Sequence, residues 1–219
     1  MHNIIQNLIY IEEEVKSKIK DLNIIRIPKI IAVSKTFTID RILPLINYGH
    51  IDYGENKVLE TIEKWTEVKA KNKNVKLHLI GKLQTNKLKL AIKIFDYIHS
   101  VDSEKLATKI ATEQKKINKK IKIFIQINIG EEEQKLGIKK EQVFSFHKFC
   151  QMLNLDVVGT MCIPPKEGNT QNFFLEMNKI NKELNLTRLS MGMSEDYLLA
   201  VQNNATHLRI GSKIFGHRD

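Results

Sequence analysis

The chain has 219 residues, a formal net charge of +10 and 42% hydrophobic residues, which is enough for one large or two small domains with ample core. With only 4 Pro and 10 Gly, no Pro/Gly/Ser-rich linker divides it, so residues 1–219 read as one domain. No apolar run is long enough to span a bilayer, Met1-His2-Asn3 opens no secretory signal pattern, and Cys150 and Cys162 form no CxxC pair, which together point to the cytoplasm.

The first segment, residues 2–21, carries Ile4, Ile5, Leu8, Ile11, Val15 and Ile19 at helical spacing. An apolar, β-branched run at 29–35 follows and reads as a buried strand ending in Lys35. Further strands are expected at 50–54, 76–81, 96–101, 121–129, 155–162, 187–191 and 206–210. Helices are expected between them at 55–69, 85–94, 104–117, 141–153, 171–184 and 195–202. Eight strands with a helix in nearly every gap are the signature of parallel βα units, and eight such units close most economically into a (β/α)8 barrel. An open doubly wound sheet is the alternative, but no GxGxxG follows the first strand. The expected fold is an α/β TIM barrel with an extra N-terminal helix.

The positive charge invites a nucleic-acid reading. The lysines, however, scatter along helical segments, and no aromatics interleave with them as base stacking requires. A solvated surface is the better account, and neither nucleic acid nor membrane is expected as a partner. His147 and Cys150 stand three apart, but no second pair completes a metal site.

In a barrel, chemistry sits at the carboxyl ends of the strands. Lys35 ends the first. A lysine among apolar neighbours tends to lose its proton, and a neutral amine is what an aldehyde cofactor needs to form a Schiff base; taken alone, Lys35 reads far more readily as a loop lysine snorkelling to water. Ser190-Met191-Gly192-Met193-Ser194 leads from the seventh strand into a helix, with Gly192 for a tight turn and Ser194 as N-cap. Arg209-Ile210-Gly211-Ser212 follows the eighth, with Gly211 for close backbone approach and Ser212 for a second hydroxyl. Each is an ordinary turn by itself; together, after strands seven and eight, they make a phosphate cup. Arg209 should face the barrel mouth, where a pyridine nitrogen or a salt bridge to Glu55 or Asp102 would satisfy it. His78, Gln84, Asn86 and Lys87 around the third strand end, and Asn128, Glu133 and Lys135 after the fifth, read as loop hydrogen-bonders. Met161, Met191 and Met193 read as packing.

A wider set of segments carries a resemblance. Ala32-Val33-Ser34-Lys35, Gly54-Glu55-Asn56, His78-Leu79-Ile80-Gly81-Lys82-Leu83-Gln84-Thr85-Asn86-Lys87 and Ser100-Val101-Asp102-Ser103 occur in order. Gln126-Ile127-Asn128, Gly159 with Met161-Cys162-Ile163-Pro164, Leu189 to Ser194, and Arg209 to Ser212 with Ile214-Phe215-Gly216 complete the set. Over roughly residues 30–218 the chain resembles the pyridoxal phosphate homeostasis protein family, also described as YggS-like or proline-synthase co-transcribed. The resemblance implies a barrel of the alanine-racemase type carrying pyridoxal 5'-phosphate (PLP) on Lys35. It implies that Ser194, Gly211 and Ser212 hold the phosphate, that Arg209 approaches the pyridine nitrogen, and that Asn56 and Met191 neighbour the ring. It further implies a monomeric carrier or buffer of the cofactor, with apo forms of PLP enzymes as possible recipients, and not an enzyme. A PLP-dependent, racemase-like enzyme with an unidentified amino-acid substrate is the alternative. Thr160 departs from the pattern, which usually has leucine there, and Arg218-Asp219 lacks the tyrosine often found just beyond.

Overall fold

The apolar runs pair in chain order into a closed parallel barrel in the computed structural model, which describes residues 3–216. The strands are β1 (Lys29–Val33), β2 (Asp52–Glu55), β3 (Lys76–Leu79), β4 (Tyr97–Val101), β5 (Lys122–Gln126), β6 (Asp156–Met161), β7 (Arg188–Ser190) and β8 (His207–Ile210). The ring closes between β1 and β8, in register from Lys29↔His207 to Ala32↔Ile210. Met1, His2, Arg218 and Asp219, named above, lie outside the described residues.

Except for β2, which runs on to Glu55, the strands are shorter than the apolar runs that contain them, because hydrophobicity outlasts the ladder. Ile127 and Ile129 are both buried, yet β5 ends at Gln126 and Ile127 makes only an isolated bridge to Ile138. Likewise β1 ends at Val33, so Lys35 stands in the turn beyond the strand and not at its last position.

The helices are α1 (Asn3–Asp21), α2 (Ile39–Tyr48), α3 (Val58–Lys71), α4 (Leu88–Ile94), α5 (Glu104–Lys116), α6 (Val143–Met152), α7 (Thr170–Glu183), α8 (Tyr197–Gln202) and α9 (Ser212–Phe215). Helix α2 hides behind Pro44, which lies inside it and interrupts the usual signal. It ends at Gly49, whose φ of 100° lets its N–H return to the Ile46 carbonyl. The helix expected from residue 55 starts at Val58 instead, since Glu55 belongs to β2 and pairs with Leu79.

Helix α1 buries Ile4, Leu8, Ile11 and Val15, one stripe at helical spacing, and packs on α8 and α9. Its Asn7 Nδ2 donates to the Ile214 carbonyl, and Glu14 accepts from the Tyr197 hydroxyl. Thr160, the departure from the family pattern, is fully buried and bonded through its hydroxyl and N–H to Asn181 Oδ1 at 2.9 and 3.1 Å. A polar pair thus joins β6 to α7 where leucine would pack.

Inside the ring the usual layers of Val, Ile and Leu are interrupted. One small cluster of Tyr97, Phe124 and Met161 fills part of the interior. Asp52, His78, His99, Ser190, His207 and Arg209, also buried, make the rest polar. Stability therefore rests on the shell between strands and helices, where Trp65 of α3 is completely buried against Tyr53, with ring centroids 4.8 Å apart. Trp65→Ala should cost about 3–5 kcal/mol, measured as a drop in the denaturant midpoint; a loss under about 1 kcal/mol would contradict this placement.

Candidate functional site

A cavity of about 790 Å³ opens at the carboxyl ends of the strands. Six of the seven expected site residues line it: Lys35, Asn56, Ser194, Arg209, Gly211 and Ser212. Met191 does not. It is fully buried in the shell, and Met193 lines the cavity instead, because Gly192 turns the chain between them at a φ of 90°. A Cβ on Gly192 would lie 2.5 Å from the Ala200 Cβ, so only glycine makes this turn.

The turn that carries Lys35 is built from beneath. Ser34 donates its N–H to the Gly54 carbonyl at 3.0 Å and its hydroxyl to Glu55 Oε1 at 2.7 Å. Lys64 of α3 reaches the same carboxylate at 2.7 Å and also donates to the Ser34 and Phe37 carbonyls at 2.9 and 3.2 Å. Trp65 Nε1 adds a third bond to the Glu55 carboxylate at 2.9 Å. These ties hold Thr36 at a φ of 70°, a left-handed conformation that a β-branched residue adopts only when its surroundings impose it. Neither Lys64 nor its role carries a signal in the sequence; a lysine beside a tryptophan on a helix is unremarkable until the fold places it under the turn.

Across the cavity, the loops after β7 and β8 meet. The Ser194 hydroxyl accepts from the Gly211 and Lys213 N–H groups at 3.3 and 3.4 Å. Ser194 is not a helix N-cap: α8 starts at Tyr197 with Asp196 in the capping position. Asp196 Oδ1 bonds back to the Met193 N–H at 2.6 Å, closing a turn that delays the helix and frees Ser194 to bridge the two loops. A Cβ on Gly211 would make only ordinary contact, 3.4 Å from Val33, so packing alone does not demand glycine there. Gly81 is different, since a Cβ there would lie 2.5 Å from the Asn56 carbonyl oxygen. That glycine lets the loops after β2 and β3 touch and seats Asn56 at the cavity wall.

Arg209 is 4% exposed and lies at the cavity floor. Nη1 donates to Ser190 Oγ at 2.7 Å and Nη2 to the Cys162 carbonyl at 2.8 Å. Neither carboxylate considered from the sequence pairs with it: Glu55 is taken by Lys64, and no ion pair of Arg209 occurs among the described residues. Five N–H donors with two such bonds leave capacity for an acceptor in the cavity. Lys82 and Lys166 join Lys35 and Arg209 in the lining against Glu195 and Asp196, so the lining is net positive and suits an anion.

Behind Arg209, His78 is not a strand-end loop residue but lies fully buried inside the barrel, bonded to Asp52 and His99. Burial lowers the pKa of His78, and that of His99 and His207 still further, with neighbouring positive groups adding to the burial effect for those two. Burial opposes ionisation of Asp52, but the His78 hydrogen bond and the nearby Lys29 outweigh it and bring its pKa down to about 2. Among the described residues no group of three or more His, Cys, Asp or Glu is placed to hold a metal, and no helix is long and apolar enough to cross a membrane.

Barrel and cavity define a class. The family profile described as "Alanine racemase, N-terminal domain" matches residues 14–219. The alanine racemase of Clostridium difficile 630 shares the fold, with a TM-score of 0.73 at 18% identity, covering 99% of this chain and 57% of that one. More specific likenesses exist. The pyridoxal phosphate homeostasis protein of Haemophilus influenzae is 35% identical over 230 residues, 99% of this chain and 97% of its own. The human protein of that name is 34% identical over 95% of this chain and 83% of its own. Two structures of PipY from Synechococcus elongatus PCC7942, without and with PLP bound, match at 31% identity with TM-scores of 0.82 and 0.77, covering 92% of this chain and 100% of theirs. This chain belongs to the pyridoxal phosphate homeostasis protein family.

The buried histidines give the site a pH signature. His78, His99 and His207 are held below their ordinary pKa when folded, while unfolded histidine titrates near 6.5. Below that value the unfolded chain takes up more protons, so stability falls with pH by up to about 1.4 kcal/mol per pH unit for each histidine. Asp52 extends the loss as pH drops from about 4 towards its folded value of about 2. Denaturant midpoints between about pH 7.5 and about pH 4.5 should decline steadily, and a flat profile would contradict neutral buried imidazoles.

Proposed function

We propose that residues 1–219 form one PLP-binding barrel that carries or buffers the cofactor on Lys35 and so contributes to intracellular vitamin B6 and amino-acid balance. The observation that carries this reading is convergence: an amine, a bridged pair of phosphate-sized loops and a buried cationic donor face one cavity. In this reading Ser194, Gly211 and Ser212 hold the phosphate, Asn56 flanks the ring, and Arg209 donates to the pyridine nitrogen. Met191 backs the Gly192 turn and does not line the cavity. The relatives' name and the PLP bound to PipY support the same ligand.

Bound PLP would supply an aldehyde, which the Lys35 amine would hold through a C=N linkage with loss of water; water would return the free aldehyde, and an incoming amine would displace Lys35 from the same carbon. Because arginine only donates, it leaves the ring nitrogen unprotonated and the ring a weak electron sink. That favours holding and releasing the cofactor over turning a substrate. Apo forms of PLP enzymes would be the recipients, with this protein acting as a monomer in the cytoplasm. Lys82 and Lys166 at the cavity mouth suit the carboxylate of an amino acid, which a racemase-like enzyme would need as much as a carrier meeting an incoming amine. The two readings part on turnover.

Lys35→Ala should abolish the Schiff-base absorbance in PLP-treated protein and remove the borohydride-fixed peptide, with the fold retained. Label on another lysine would reassign the attachment point. Amino acids incubated with wild-type protein in deuterated water should show α-proton exchange or loss of chirality far below about 1 per second; faster turnover would establish the enzyme instead.

A further inference from the structure

The barrel interior holds a continuous line of hydrogen bonds from the cavity to the opposite end of the ring. Arg209 Nη1 meets Ser190 Oγ at 2.7 Å, and Ser190 Oγ meets His99 Nδ1 at 2.9 Å. His99 Nε2 meets His78 Nδ1 at 3.0 Å, and His78 Nε2 meets Asp52 Oδ1 at 2.9 Å. Asp52, at the amino end of β2, also takes Lys29 Nζ at 3.1 Å. All five relay members are buried, with His78 and His99 at 0% exposure. Aromatic faces hold the imidazoles in place: His99 stacks on Phe124 at 4.2 Å and His78 on Tyr97 at 4.3 Å.

With both imidazoles neutral, the Asp52 end of this line sets the direction of each bond. As a carboxylate Asp52 can only accept, so His78 carries its proton on Nε2 and leaves Nδ1 bare. His99 then donates from Nε2 to His78 Nδ1 and is itself bare at Nδ1. Ser190, which accepts from Arg209, gives its single hydrogen to His99 Nδ1. All four bonds point the same way. With the imidazoles neutral and Asp52 ionised, the line ends on an acceptor at Asp52 and presents N–H donors of Arg209 at the cavity.

The geometry points to Ser190, His99, His78 and Asp52 as positioning residues: a one-way relay that makes Asp52 the distant counter-charge of Arg209 and holds its guanidinium as a fixed donor facing the cavity. A carboxylate placed directly against Arg209 would occupy donors that the cavity ligand needs. The relay orients Arg209 through neutral groups and leaves those donors available. The group seated over Arg209 must then be a proton-free acceptor, which deepens the proposed PLP reading and, for the ring contact, rests on it.

Two measurements test it. Ring 15N NMR of the wild-type protein without added ligand should show His78 and His99 both protonated on Nε2 and bare on Nδ1; an Nδ1–H form of either overturns the relay, whatever the cofactor. In PLP-loaded protein, Ser190→Ala and Asp52→Asn should each weaken PLP binding about tenfold and shift the cofactor's absorbance maximum, while borohydride still fixes PLP on Lys35. If wild-type protein shows no label on Lys35, the cofactor reading fails and the nitrogen shifts alone decide the relay. If Lys35 is labelled and both folded variants keep the wild-type affinity and spectrum, the relay does not position Arg209.

Discussion

Glu55 is 1% exposed, yet its carboxylate gathers the Ser34 hydroxyl, the Trp65 indole and the Lys64 ammonium at 2.7–2.9 Å. Those three groups come from the end of β1 and from α3, so one acid ties a barrel strand to an outer helix directly beneath the turn bearing Lys35. Lys64 completes the arrangement by holding the carbonyls on both sides of that turn. Removing one partner of a buried pair strands the other, at about 3–5 kcal/mol. The amine is therefore placed by charges that never enter the cavity.

The polar interior follows a related logic. A barrel can tolerate hydrophilic groups at its centre when each finds a partner, and the chain from Arg209 to Asp52 nearly achieves that. His207 stands beside it with Nδ1 bonded to the Thr206 hydroxyl and Nε2 unpaired among the described residues. Keeping the imidazoles neutral limits the buried charges of the line to its two ends. The apolar shell outside the strands, anchored by residues such as Trp65, Phe95 and Phe174, supplies the stability that the interior does not.

Much of this was legible in the chain. Alternating strand and helix patterns specify eight βα units, and the glycines and serines after strands seven and eight specify where an anion would sit. Boundaries were less legible, for local reasons: Pro44 conceals α2, and apolar residues such as Ile127 and Ile129 continue past the last ladder bond. Met191 and Met193 part company, the first packing in the shell and the second lining the cavity, because the left-handed turn at Gly192 lies between them. Asp196 displaced Ser194 as the cap by bonding back to Met193. The relay was invisible, since Asp52, His78, His99, Ser190 and Arg209 come from five strands and only barrel closure brings them together. His78 looked like a loop residue until its register against Gly54 and Tyr97 set it inside the ring.

Thr36 carries a further implication. A threonine at a φ of 70° stores about 1–3 kcal/mol of backbone strain immediately after Lys35. Residues that accept this geometry freely, glycine or asparagine, would relax it. Selection for thermal robustness alone would thus tend to replace Thr36, and the gain in melting temperature would come with a slacker hinge under the amine. Robustness and grip on a ligand pull this position in opposite directions.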